Sequence, residues 1–95
     1  MFLGYEQVTA GAAAKDVDDL TIPAGATHAQ LQASGQSVSY TMDGTTVPTQ
    51  TAGMFLLVAA PPQDFTIDDI LRIKFVRGAG SDGQLNIHYF GGRDV

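Results

Sequence analysis

The chain has no cysteine and no tryptophan. Without cysteine there is no disulfide staple, no thiolate nucleophile and no zinc–thiolate site. Basic residues are also scarce: five Lys and Arg stand against ten Asp and Glu, for a net charge of −5. A phosphate backbone attracts clustered cations, and Lys15, Arg72, Lys74, Arg77 and Arg93 are few and outnumbered, so nucleic acid is not an expected partner. Long hydrophobic runs are missing as well. The longest apolar stretch, Met54 to Pro62, falls far below the ~20 residues of a membrane helix. The opening Met1-Phe2-Leu3-Gly4-Tyr5-Glu6 lacks the basic leader and long apolar run of a secretory signal. The expectation is a protein made in a cytoplasm, with no membrane partner.

What is present is a chain of 95 residues, one domain's worth, expected to span 1–95 as a single unit. A chain of this size buries only roughly 60–65% of its unfolded surface, so its stability alone should be modest. With disulfides excluded, metals or neighbouring subunits are left to supply the remainder.

Hydrophobicity alternates with period two almost throughout, the pattern of half-buried strands. His28 to Ser34 alternates strictly, and Val38, Tyr40 and Met42 share a face. Leu71, Ile73 and Phe75 share another, opposite Arg72 and Lys74; Leu85, Ile87 and Tyr89 do the same opposite Asn86 and His88. Met54 to Ala60 is apolar at every position, as in a strand covered on both sides. Phe2 to Ala10 and Leu20-Thr21-Ile22 are weaker strand candidates, the first readable as an edge strand or an N-terminal arm.

Breakers separate these runs. Pro23-Ala24-Gly25 and Asp43-Gly44 read as turns, Ser34-Gly35-Gln36 as a hairpin turn, and Pro61-Pro62 as the end of the apolar run. Gly78 to Gly83 reads as a hairpin loop between the last two strands. Residues 12–16 lack a 3.6-residue apolar stripe, and Thr66-Ile67-Asp68-Asp69 resembles a capping box without the Glu or Gln its last position needs, so both support loop or one helical turn at most. The expected fold is all-β: one antiparallel β-sandwich or jelly roll of about six to eight short strands.

Few residues suggest chemistry. His28 and His88 fall on the polar faces of their strands, and two imidazoles without a third ligand make a poor metal site. Asp16, Asp18 and Asp19 lack the glycine and downstream glutamate of a calcium loop and read as a solvated acidic segment. Asp68 and Asp69 read as turn-capping residues. Gly78, Gly80 and Gly83 precede a strand, where a phosphate loop needs a helix. Ser34, Ser37, Ser39 and Ser81 sit in no nucleophile elbow. The reading is a non-enzyme with no cofactor and no metal.

From Leu20 to Phe90 the order of segments resembles a group of small virion proteins of tailed bacteriophages. The resemblance lies in Leu20-Thr21-Ile22-Pro23-Ala24-Gly25-Ala26-Thr27-His28-Ala29, in the turn Asp43-Gly44-Thr45-Thr46-Val47-Pro48-Thr49, and in Ala52-Gly53-Met54. The runs Leu71-Arg72-Ile73-Lys74-Phe75-Val76 and Leu85-Asn86-Ile87-His88-Tyr89-Phe90 complete it. It covers roughly three quarters of the chain and implies a structural role in the virion, assembled in the bacterial cytoplasm. The first reading is a capsid decoration (cement) protein whose partner is the major capsid protein or another virion protein, self-associating as a trimer or ring. A tail or head-to-tail connector component is the second. The rival from another class is a carbohydrate- or ligand-binding β-module, against which stands the scarcity of exposed aromatics for sugar stacking, only Tyr5, Tyr40 and Tyr89, with no tryptophan. Candidate interface residues are Phe2 and Tyr5 in the possible arm, Phe55 and Leu57 in the two-sided apolar run, and Phe90 beside inward-facing Tyr89.

Overall fold

A computed structural model describes residues 1–92; the last three residues of the expected domain lie outside the described residues. The elements run β1 (Phe2–Ala10), β2 (Lys15–Asp16), a 3₁₀ turn (Val17–Asp19), β3 (Ala26–Ser34), β4 (Val38–Thr41) and β5 (Met54–Leu56). Then follow β6 (Gln63–Thr66), α1 (Ile67–Ile70), β7 (Lys74–Arg77) and β8 (Gly83–Gly91). Eight strands among the described residues form two antiparallel sheets, one ordered β1-β8-β3-β6 and the other β2-β7-β4-β5. The fold is an all-β sandwich.

The period-two runs account for its core. Ala29, Leu31 and Ala33 of β3 and Leu85, Ile87 and Tyr89 of β8 point inward from the first sheet. Val38 and Tyr40 of β4, Leu56 of β5 and Phe75 of β7 meet them from the second, with Ile70 and Ile73 closing one end. Burying side chains of this size removes roughly 25 cal/mol per Å² of apolar surface from water, the main favourable contribution to folding.

Four expectations need correction. Met54–Ala60 is not one covered strand. Pairing stops at Leu56, opposite Val38, because β4 begins there. Beyond it the chain turns, with Ala60 N–H bonded to Leu57 O at 3.2 Å and Ala59 in the left-handed region at φ 67°. Leu56 alone of the run is buried, at 3% exposure. Leu71 does not share the face of Ile73 and Phe75: it caps α1 and is exposed, and Ile70 takes the core position instead. Leu20-Thr21-Ile22 forms no strand; Leu20 and Ile22 pack on the core from a loop.

The fourth correction concerns the turns at Gly35 and Gly78–Gly83. Neither makes a hairpin, because β3 and β4 lie in different sheets, as do β7 and β8. Both segments carry the chain from one sheet to the other, and they cross side by side. The Gly78 N–H bonds Ser37 O at 2.7 Å, and a Cβ on Gly83 would stand 2.6 Å from Gln36 O. Glycine is required at that contact for space.

Small motifs stabilise the connections. In the 3₁₀ turn, Asp16 Oδ1 accepts from Asp18 N–H at 2.9 Å and Asp19 Oδ2 from Asp16 N–H at 3.2 Å, a reciprocal cap. Thr66 Oγ1 accepts from Asp69 N–H at the start of the single helical turn α1. β1 is an edge strand paired with β8 along its length, interrupted by an irregularity between Phe2 and Gly4. Its inward-facing Glu6 accepts hydrogen bonds from Tyr89 Oη and Thr21 N–H. A bulge and an inward charge both discourage a foreign strand from adding to an edge.

Candidate functional site

The same alternation that fills the core leaves the outer face of the β1-β8-β3-β6 sheet to Gln, Asn, Ser, Thr, His and aromatic residues, with Asp64 of β6 opposite Gln30. Register places them in rows across the strands. Tyr5 of β1 stands opposite His88 of β8, which stands opposite Gln30 of β3. In the next row Gln7 faces Asn86, and Asn86 faces Gln32. A groove of about 320 Å³ runs over these rows, lined by Tyr5, Gln30, Gln32, Pro62, Asn86, Ile87 and His88.

Most of the groove wall is held by hydrogen bonds between neighbouring side chains. Asn86 Oδ1 accepts from Tyr5 Oη and from Gln7 Nε2, each at 2.9 Å. Asn86 Nδ2 donates to Ser34 Oγ at 2.8 Å, so this one amide ties three strands together. Gln32 Nε2 donates to Ala60 O at 3.1 Å and fixes the neighbouring wall to the turn after β5. By contrast, the Gln30 amide and the His88 ring nitrogens make no hydrogen bond to the described residues.

At the end of this face the rings gather. Phe2 and His88 meet edge to face at 5.2 Å between centroids, Phe2 and Phe90 at 5.8 Å, and Tyr5 and His88 at 5.3 Å. Edge-to-face contacts of this kind add about 0.5–1.5 kcal/mol each to simple burial. Three of the expected interface residues, Phe2, Tyr5 and Phe90, thus belong to one cluster.

The other two, Phe55 and Leu57, lie on the opposite sheet. β5 is its edge, paired through β4 on one side. Met54, Phe55, Leu57 and Val58 are all exposed there, Met54 at 63% and Leu57 at 61%. The turn is tied down through Val58 N–H, which donates to Ser37 Oγ at 3.0 Å.

The two histidines are diagonal neighbours and do not stand opposite each other. β3 and β8 pair, but His28 stands opposite Phe90 and His88 opposite Gln30. His28 Nδ1 is engaged with Thr27 Oγ1 at 2.9 Å. Among the described residues no group of three or more His, Cys, Asp or Glu is placed to hold a metal ion. The carboxylates of Asp16 and Asp19 are occupied by their own turn.

No family model, no curated protein and no solved structure matches this chain.

Two electrostatic features stand out. Burial, and then the hydrogen bond and negative charge of Glu6, push the Tyr89 phenol well above its ordinary range. Asp43 is held down at about 2, first by the Thr46 hydroxyl and then by the Thr45 and Thr46 amides. Both serve the fold. The Asp43 turn starts a long segment whose Ala52 O accepts from Ser39 Oγ at 3.3 Å, over the outer face of the second sheet.

Sequence reading found the rings at positions 2, 5 and 90 one at a time. It missed Gln30, Gln32 and Asn86, since polar residues on the outer side of a strand look the same whether they line a groove or face water, and it read Pro62 only as a strand breaker.

Proposed function

We propose that this chain is a non-catalytic structural protein of a bacteriophage virion, a decoration protein that binds neighbouring capsid subunits. The observation that carries the binding role is the exposed apolar run Met54, Phe55, Leu57 and Val58 at the β5 edge. A soluble monomer gains nothing by exposing four such side chains together, and patches of this kind mark contact surfaces. An edge strand also offers main-chain groups for pairing with a partner strand.

Two further points support the virion setting: the resemblance carried by residues 20–90, and the winding of the strands. β4 pairs with β5, β3 with β6, β2 with β7 and β1 with β8, each pair enclosing the one before. We read this nesting as one long antiparallel ribbon rolled into two sheets, the jelly roll that viral capsid domains use, lectins being another use. Function does not follow from fold, so the surface has to be tested directly.

The test is assembly. Purified protein is added to phage heads lacking it, and bound copies are counted after sedimentation, beside Leu57→Asp and Phe55→Asp variants. Binding by the wild-type chain and loss of binding by both folded variants is the expected result. Attachment to tails with none to heads would move the protein to the tail or connector. Attachment to neither would remove the virion reading.

A further inference from the structure

We propose that the groove on the β1-β8-β3-β6 face is a binding site for a neutral oligosaccharide, separate from the assembly surface at β5. Its lining has no carboxylate, ammonium or guanidinium group, and the chain is acidic in sum. Phosphate-bearing and sulfated ligands would find no lysine or arginine there. A peptide recognised by strand addition needs free main-chain groups, but β8 and β3, which form the groove floor, are each paired on both sides. Ligand recognition is left to side chains.

Those side chains suit hydroxyl-rich ligands. Tyr5, His88 and Gln30 lie in one row across three strands. The half-exposed Tyr5 ring offers an apolar face to the C–H side of a pyranose. The Gln30 amide presents a donor and an acceptor, and the His88 ring adds its nitrogens, none of them engaged within the protein. Vicinal sugar hydroxyls each donate and accept, the same complement. Gln32 and Asn86 are already held, to Ala60 O and to Tyr5 and Ser34, so the wall is ordered before any ligand arrives. At about 320 Å³ the groove lies at the small end of the roughly 300–1,000 Å³ typical of small-molecule sites, room for a short saccharide segment.

The sequence argument against a sugar site rested on three scattered tyrosines and the lack of tryptophan. Folding brings His88 against Tyr5, and Phe2 and Phe90 against His88, so that an aromatic cluster adjoins the groove through Tyr5 and His88.

A glycan array holding neutral and acidic oligosaccharides is the first screen. Calorimetric titration of the strongest neutral glycan then compares the wild-type chain with Tyr5→Ala, Gln30→Ala and Leu57→Asp, each checked by thermal melting. A neutral glycan should bind the wild-type chain, and Tyr5→Ala and Gln30→Ala should each weaken it by about tenfold or more. Leu57→Asp should bind it unchanged, whatever its effect on assembly. If Tyr5→Ala lowers the melting temperature, Gln30→Ala decides, because its side chain holds nothing else in place. No bound glycan, acidic glycans alone, or binding indifferent to both groove substitutions would overturn the proposal.

Discussion

On one side of the sandwich the outer face of β1, β8, β3 and β6 lies open, covered only by its own side chains. On the other, the segment between β4 and β5 lies over the sheet: Ser39 of β4 and Val76 of β7, opposite each other in register, are buried although both point away from the core. The open face is polar and cross-linked, with Asn86 as its hub; the roofed sheet instead exposes apolar residues at the edge where the roof returns to it. The open face ties most of its polar side chains to one another but leaves Gln30 and His88 unengaged, while the roofed sheet leaves Phe55 and Leu57 without cover. The two proposed binding surfaces lie on these two different sheets, the glycan groove on the open one and the assembly edge on the roofed one.

The contrast should break most visibly at β5. Leu56→Ala removes a core side chain and should destabilise the domain by about 2–5 kcal/mol in denaturant unfolding. Leu57→Ala, one residue on, should stay within about 0.5 kcal/mol of the wild-type chain and weaken association alone. Equal losses of stability at both positions would mean that no assembly surface exists there.

Beneath the open face, Tyr89→Phe should cost about 1–3 kcal/mol, since Glu6 loses its phenol donor. It also tests pH dependence. With the folded phenol raised above its ordinary value of 10.0, the Tyr89 contribution is fully present below pH 10. It should fade as pH rises further, because the unfolded chain then releases a proton that the folded one retains. The phenylalanine variant should lose that part of the alkaline decline in melting temperature.

On the roofed side, Gly53→Ala tests how closely the covering segment is seated. Gly53 has φ 134°, and a Cβ there would meet Ser39 Oγ at 2.7 Å and Tyr40 O at 3.1 Å. A loss of somewhat more than about 1 kcal/mol is expected, with faster proteolysis in residues 43–53. Glycan binding on the opposite face should not change.

The smallest effect concerns Asp43. Its lowered pKa of about 2 means that the turn it holds is intact above its ordinary value of 3.8 and loosens as pH falls from there toward 2. Amide exchange at Thr45 and Thr46 followed through that window should show local opening before the core responds.

Strands were legible wherever alternation was strict, as at Ala29-Gln30-Leu31-Gln32-Ala33 and at Leu85 to Tyr89, because a buried face imposes that period on any sequence. The turns were found, but not where they lead. Gly35 and the Gly78–Gly83 segment have the chemistry of a tight reversal, and only the long-range pairings β3·β8 and β4·β7 show that the chain changes sheets there. The run at 54–60 misled for a related reason, since apolar residues look alike whether they are covered or exposed. The groove was unreadable because Tyr5, Gln30 and His88 come from three distant segments that only strand pairing brings together.

The nesting of the strands also constrains how the chain can reach this structure. Only β4·β5 is local; each enclosing pair has to close a longer loop, and the outermost joins Met1 N to Gly91 O across 90 positions of sequence. Loop-closure entropy favours zipping from the inner pair outward, and folding rates that fall with such sequence separation place the reaction in roughly the millisecond-to-second range. During synthesis neither sheet can be completed early: β8 sits between β1 and β3 in one, and β7 between β2 and β4 in the other. A ribosome-bound chain stalled before residue 83 would hold β1 with no strand to pair with. Such stalled chains should bind chaperones and yield to protease, and protection should appear abruptly once β8 has emerged.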